Sequence, residues 1–379
     1  MNLPFPSWAE VDLDRLHSNV DIIHAAAGKK LLPVIKANAY GHGGLVLARE
    51  LAKRKEVEAL AVWSLDEAEQ LRKGGIKCRV LALGGFWPAE AGRVVSLGVE
   101  PVISSSGQAS LLARAASVKK PAKVHFKIDT GMARLGEERQ AAFDSLTQAG
   151  AMGGVRLAGV MTHLAFAECG KQAVRRQLSV FDDILASFQA SGRSIPPRHA
   201  ANTAAVFLHP EARYDLVRPG IGLYGVKEFR GKDPGLKPVL SLRARVIWTR
   251  KLAKGETVSY FGIWESPGPR KIAVVSLGYA DGYSRVLSNR VRAIIKGKSV
   301  KQIGVICMDS ATFDVTSVNV KEGDTVTIIG SDGPKYIGAT AIAKVLSTIS
   351  YEILCGIGNR TRRIYIRSGK IDRRVSTGI

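Results

Sequence analysis

As far as Gly235, short apolar runs alternate with longer stretches of helical periodicity. LLPVIKA, ALAVW, RVLAL, PVISS, AKVHFKI, RLAGVMTH, PRHAAN and YDLVRP are eight candidate strands. Between most of them apolar residues recur every three to four positions, as in GLVLARELAKR and QAVRRQLSVFDDILASFQASG. In SLDEAEQLRKGG the helix boundaries are written out: Ser64 is the N-cap, Glu67 completes a capping box and Gly74 ends the helix. Strands alternating with helices imply parallel pairing through right-handed crossovers. Eight such units are what a closed TIM-type (β/α)8 barrel needs, in a span near its usual ~250 residues. An open doubly wound sheet has the same alternation, and a count of runs does not separate the two.

Around Leu236 the pattern changes. SLRARVIWTRKL, KIAVVSLGYA, RAIIKGKSVKQIGVICM, ATFDVTSV and DTVTIIG are β-rich and are separated by turn signals such as KGE, SPGPR, KGK and KEGD, with one helical interruption at ATAIAKVLS. The expected organisation is an α/β barrel over residues 1–235 followed by a mostly antiparallel β domain over 236–379. The early run WAEVDLDRL is a ninth strand candidate, centred on residues 8–13, and is free to pair with the second domain.

Composition adds exclusions. Hydrophobic residues make up 46% of the chain and charged residues 23%, an ordinary globular balance. No run is long and apolar enough for a bilayer, and MNLPFPSWAE lacks the build of a secretory signal, so the expected location is the cytoplasm. Cys78, Cys169, Cys307 and Cys355 are too dispersed for a disulfide framework or a zinc site. The net charge is +22, with 24 Lys/Arg against 10 Asp/Glu from Leu236 onward. The basic residues are scattered and rarely interleaved with aromatics, which argues against a nucleic-acid partner. The segment from Arg360 to Arg374 is the densest basic patch.

Ligand groups on a parallel barrel sit at the carboxyl ends of its strands. That rule selects Lys36 after LLPVI, Lys127 and Asp129 after VHF, His163 after LAGVMT, Asn202 and Thr203 after RHAA, and Arg218 after YDLV. A lysine closing a buried strand either forms an ion pair at the barrel rim or is desolvated into a nucleophile toward carbonyls. Asn202-Thr203 and Pro219-Gly220-Ile221-Gly222 offer hydroxyl, glycine and N–H donors where barrels commonly hold phosphate. The same glycines also suit tight βα turns.

The motifs VIKANAYGHG, KIDTGMARLG, THLA, HAANTAA, RPGIGLYG, VSYFG, GYADGY and ICMDS occur in this order along nearly the whole chain. In this the sequence resembles the alanine racemases. The resemblance implies a pyridoxal 5′-phosphate barrel followed by a β domain, in a homodimer with shared active sites. It implies that Lys36 is the Schiff-base lysine. Tyr40, four residues on along the same helix face or first turn, is a phosphate ligand, as are Thr203, Gly220 and Ile221. Arg218 faces the pyridine nitrogen and His163 lies beside the ring. Arg134 contacts the cofactor oxygen and the substrate carboxylate. Lys127 matches a lysine that is often carbamylated, and an ion pair with Asp129 is its alternative. Tyr260 is the second base, Met308 a substrate contact through its backbone N–H, and Tyr279 a tyrosine at the pocket entrance; Tyr260 and Met308 reach the other chain's site.

The implied reaction is the interconversion of L- and D-alanine by two bases, Lys36 on the D face and Tyr260 on the L face, supplying D-alanine for peptidoglycan. Free lysine titrates near about 10.4 and free tyrosine near about 10, so bases working near neutrality must be lowered. A barrel-type amino-acid decarboxylase is a competing reading, but it wants an acidic group where Arg218 stands. A non-catalytic cofactor carrier is another, but such carriers lack the β domain. After YEILCGIG the family usually has a tyrosine where Asn359 stands, so a roomier pocket and a substrate range that includes serine are expected.

Overall fold

The computed structural model describes residues 4–375. The first residues of the signal-peptide reading and the outermost ends of the two expected domains lie outside them. β1 (Ser7–Asp12) opens the chain and is followed at once by helix Leu13–Ala27. Strand character therefore stops inside WAEVDLDRL rather than running through it. Asp12 turns the chain by accepting a hydrogen bond from the Arg15 N–H at 3.0 Å, an N-cap that makes Leu13 the first helical residue.

The eight barrel runs all form strands: β2 (Lys30–Leu31), β3 (Leu60–Val62), β4 (Val80–Ala82), β5 (Glu100–Ile103), β6 (Ala122–Lys127), β7 (Val155–Met161), β8 (Arg198–His199) and β9 (Leu216–Val217). β3 to β8 pair in parallel in sequence order, and β2 pairs in parallel with β9. Parallel bridges Leu31–Val57 and Val34–Ala61 join β2 to β3. Backbone N–H groups of Asp215 and Arg218 donate to Arg198 and Ala201 at 3.1 and 2.8 Å, joining β9 to β8. The ring is closed, which excludes the open sheet. The expected boundaries at Ser64, Glu67 and Gly74 are those of helix Leu65–Lys73, capping box included.

The remaining strands are β10 (Leu240–Leu252), β11 (Arg270–Val275), β12 (Arg292–Ile295), β13 (Lys298–Ile303), β14 (Ala311–Asp314), β15 (Thr325–Asp332), β16 (Lys335–Ile337), β17 (Arg362–Arg367) and β18 (Lys370–Ile371). They form one sheet with β1, which lies antiparallel to β10 and parallel to β17. Every other pairing in that sheet is antiparallel. The chain thus begins in the sheet of its second half before entering the barrel. Three arginines of the basic tail have acidic partners within the chain: Arg360 pairs with Asp309, Arg367 with Glu50 and Asp372, and Arg374 with Asp372.

One junction fixes how the two halves meet. Gly41 and Gly43 follow Lys36 with φ of +80° and +99°. A Cβ on Gly41 would lie 2.1 Å from the Leu354 carbonyl oxygen, and one on Gly43 would lie 1.9 Å from the Tyr365 hydroxyl. Only glycine permits both the backbone angle and the approach. Gly43→Ala is therefore expected to cost about 2–4 kcal/mol by denaturant titration, combining strain with overpacking. Adding Tyr365→Phe should recover part of that loss; a Gly43→Ala chain as stable as the parent would contradict the contact.

Candidate active site

Lys36 does not begin an ordinary helix. Ala37, Asn38, Ala39 and Tyr40 all have φ between +50° and +54°, a left-handed turn of four non-glycine residues. The right-handed helix face expected to carry Tyr40 is replaced by this turn. Such geometry survives only when its surroundings over-determine it. Here the Ala37 N–H donates to the capping-box carboxylate of Glu67 at 2.6 Å. The Asn38 side-chain oxygen accepts from the Gly44 N–H at 2.7 Å. The Nδ1 of His42 lies 2.8 Å from the Tyr40 carbonyl oxygen, and Arg363 Nε donates to the Gly41 carbonyl at 2.9 Å.

The turn aims the Lys36 amine into a cavity of about 390 Å³ at the carboxyl ends of the strands, within the roughly 300–1,000 Å³ of small-molecule sites. Tyr40, Lys127, Arg134, His163, Thr203, Arg218 and Gly220 line the same cavity. Thr203 Oγ1 accepts the N–H groups of Gly220 and Gly222 at 3.0 and 3.2 Å. A Cβ at Gly220 would stand 2.7 Å from the Tyr40 hydroxyl, filling the corner where hydroxyls and N–H donors meet. Ile221 is buried and opens the short turn Ile221–Tyr224 behind that corner. The hydroxyls of Tyr40 and Thr203, beside a wall kept free of a Cβ at Gly220, fit a phosphate.

Cations crowd the cavity. Burial and Arg134 lower the Lys36 amine below its ordinary value against the opposing pull of Glu67. Burial, Arg218 and Arg134 bring Lys127 down to about 8. Asp129 is the acid nearest to hand, yet its Oδ1 is occupied by the N–H groups of Gly131 and Met132 at 2.8 Å each. No ion pair between Lys127 and Asp129 is present among the described residues, so the alternative to carbamylation is not the one found. Burial and Arg218 hold His163 down to about 3, so its imidazole is neutral. Arg218 is buried and donates to the carbonyls of Thr162 and Ala200 at 2.7 and 3.0 Å.

Trp63, Glu168 and Tyr351 also line the cavity, and the sequence reading missed all three. The indole of Trp63 lies 5.3 Å from Lys36 Nζ, a cation–π distance. Trp63 ends the run ALAVW, so the strand-end rule applied to an aromatic would have found it. The Tyr351 ring lies 5.7 Å from that of Tyr40, tilted by 47°, and comes from helix Ser350–Cys355, beyond the reach of any barrel rule. It corrects one expectation: Asn359 is exposed and lines a separate depression, while the pocket's second tyrosine is Tyr351. The inferred extra room, and the serine activity built on it, lose their basis.

Tyr260, Met308 and Tyr279 are absent from this cavity's lining. They are 65%, 52% and 42% exposed on the β half. They are drawn together around Cys307: its Sγ lies 3.3 Å from Ser259 Oγ, and its carbonyl accepts the Tyr279 N–H at 3.0 Å.

The cavity thus joins a desolvated lysine amine to hydroxyl groups and guanidinium cations, at the carboxyl ends of a barrel that is joined to a β domain. The family model for the alanine racemase N-terminal domain matches residues 11–228, and that for the C-terminal domain matches residues 239–365. The chain belongs to the alanine racemase family. An alanine racemase of Halothermothrix orenii is 35% identical over 95% of this chain and 97% of that protein. The structure of alanine racemase from Clostridium difficile superposes with a TM-score of 0.92 at 31% identity, covering 97% of this chain and 98% of that one. The Bartonella henselae enzyme, solved with covalently bound pyridoxal phosphate, has a TM-score of 0.85 at 28% identity, covering 96% and 100%.

The buried histidines give a pH prediction. Burial lowers His42 from 6.5 to about 4 and His163 to about 3. Above pH 6.5 neither state binds the proton; below it the unfolded chain does and the folded chain does not. Stability is therefore lost as pH falls from 6.5 toward 4, by roughly 3 kcal/mol from His42 alone. Urea midpoints should fall over that window and fall less steeply in His42→Gln. A flat profile would contradict the neutral burial of these rings.

Proposed function

We propose that this chain interconverts L- and D-alanine on pyridoxal 5′-phosphate, with Lys36 of one chain and Tyr260 of a second chain as the two bases of a homodimeric site. The observation that carries the reading is the Lys36 amine, lowered by burial and sharing one cavity with the hydroxyls of Thr203 and Tyr40. Tyr40, Thr203, Gly220 and Ile221 would hold the phosphate, and Lys36 would carry the carbonyl carbon. Bound there, the cofactor supplies the electron sink for a carbon that gives up its proton.

The chain's own groups do the rest. Lys36 Nζ, once displaced from the carbonyl carbon by the substrate amine and neutral, would take or return the α-proton on one face. The Tyr260 hydroxyl serves the opposite face, and its exposure on the β half suits delivery to a neighbouring copy. Arg134 binds the substrate carboxylate, with Met308 offering a backbone N–H and Tyr279 narrowing the entrance. Lys127, lowered to about 8, has the neutral amine that carbamylation needs, and the resulting anion would hold Arg134. His163 stays neutral beside the ring. Arg218 would donate a hydrogen bond to the pyridine nitrogen while keeping its own proton. That weakens the sink and favours simple proton return over decarboxylation and transamination. The D-alanine formed would serve peptidoglycan synthesis.

Purified protein is expected to carry a coloured cofactor and to form D-alanine from L-alanine. Lys36→Ala should lose both colour and activity. A colourless parent, inert to alanine even with added cofactor, would overturn the reading. Mixing inactive Lys36→Ala and Tyr260→Phe chains should restore some turnover, because one of the two sites in each hybrid is intact. Well-formed hybrids without activity would refute the shared site.

A further inference from the structure

The hydrogen bonds of Arg218 do not end at the cavity. Its Nη1 lies 2.8 Å from His199 Nδ1, His199 Nε2 lies 2.8 Å from His125 Nδ1, and His125 Nε2 lies 3.1 Å from Glu100 Oε2. All four side chains are buried. They come from the start of β5, the middle of β6, the end of β8 and the residue after β9. Glu100 in turn receives two bonds from Arg79, at 2.9 and 2.8 Å. Arg79 and Glu100 line a cleft of about 330 Å³ that shares no lining residue with the Lys36 cavity. The chain of groups therefore crosses the barrel interior, from the cavity at the carboxyl ends of the strands to a cleft at the amino ends of β4 and β5.

Only one arrangement of protons satisfies this line. Burial pushes the Glu100 carboxyl up, but hydrogen bonds from His125 and Arg79 outweigh it and hold the group at about 2, a carboxylate. A carboxylate only accepts, so His125 Nε2 carries its proton. Burial lowers both rings below the ordinary histidine value, and a second proton on either ring would set an N–H against a neighbouring N–H along the line. His125 Nδ1 is then a bare lone pair, which takes the proton of His199 Nε2, and His199 Nδ1 is left bare toward Arg218. A guanidinium only donates, so it requires that bare nitrogen. Any other order sets two N–H groups or two lone pairs against each other in the core, where an unmet polar group costs most. Arg218 forms no direct ion pair among the described residues, and this line is its link to a negative charge.

We propose that Glu100, His125 and His199 are positioning residues for the reaction: a buried relay that locks both histidine tautomers and thereby fixes the orientation and charge of Arg218. The proton order stands on this geometry alone; its effect on turnover rests on the role given to Arg218 above. Lys127 and His163 face the Arg218 end, and Glu58 and Lys123 the Arg79–Glu100 end.

The test is nitrogen NMR of the histidine rings in the holoenzyme, assigned through single His→Gln substitutions. Both rings should be neutral and protonated at Nε2 from roughly pH 6 to 8, the range in which a free histidine titrates. A proton on His199 Nδ1, or an imidazolium at either ring, would overturn the relay. Glu100→Gln keeps an accepting oxygen and should retain the proton order, with kcat within about threefold of the parent. Glu100→Leu removes the acceptor and should place a proton on His125 Nδ1. It should also shift the cofactor's visible band and lower kcat about tenfold, while the KM for alanine, set by Arg134, stays within about twofold. A folded Glu100→Leu enzyme with the parent's band and kcat would sink the functional part. If Glu100→Leu does not fold, the parent's ring nitrogens and Glu100→Gln still decide the proton order. A parent that turns over no alanine strikes the reading of function instead, and leaves the ring nitrogens to decide the relay.

Discussion

The left-handed turn from Ala37 to Tyr40 is the constraint on which the rest depends. Each non-glycine residue in that conformation costs about 1–2 kcal/mol, so four in succession are stable only inside a frame that refuses the alternatives. Glu67 holds the turn's first N–H from the barrel side. From the other half of the chain, Arg363 holds the Gly41 carbonyl and donates to the carbonyls of Ile357, Gly358 and Thr361 as well. The guanidinium thus ties the lysine turn to the strand that pairs with β1. Barrel and β half are coupled at the turn that follows Lys36, and β1 adds a second link by pairing with the strand that carries Arg363.

The second organising feature is electrostatic. Lys36, Lys127, Arg134 and Arg218 converge on one cavity, and the neighbouring cations make both lysine amines harder to charge. Glu67 and Asp129 lie near but are committed to backbone N–H groups. A cavity of this kind favours anionic ligands and a neutral lysine, which are the two conditions a phosphate-bearing carbonyl cofactor and a carboxylate substrate require. Away from the cavity the excess of positive charge is spread along the chain, and in the tail from Arg360 to Arg374 three arginines have acidic partners.

Much of this was legible in the sequence, for physical reasons. The eight barrel strands could be read because each is an apolar run bounded by polar ends, and helix Leu65–Lys73 because its caps are local. Lys36, Lys127, His163 and Arg218 could be singled out because each is a polar residue closing an apolar run at the end of the barrel where ligand groups sit. What escaped depends on tertiary context. KANAY carries no glycine or proline to announce a left-handed turn. WAEVDLDRL alternates past the point where Asp12 starts a helix. Tyr351 reaches the cavity from the second half of the chain, and without that contact in view Asn359 was given a place that is not its own. The tautomer order of His125 and His199 could not be read at all, since residues 74 positions apart meet only inside the closed barrel.

The central claim is that the β half holds the lysine turn, and hence the site, in working geometry. The most direct measurement is cofactor retention and alanine turnover in Arg363→Met, with folding followed by circular dichroism. The account predicts a folded protein that loses its cofactor and most of its turnover, because the Gly41 carbonyl is released and the left-handed turn relaxes. An Arg363→Met enzyme that keeps its cofactor and its activity would contradict it.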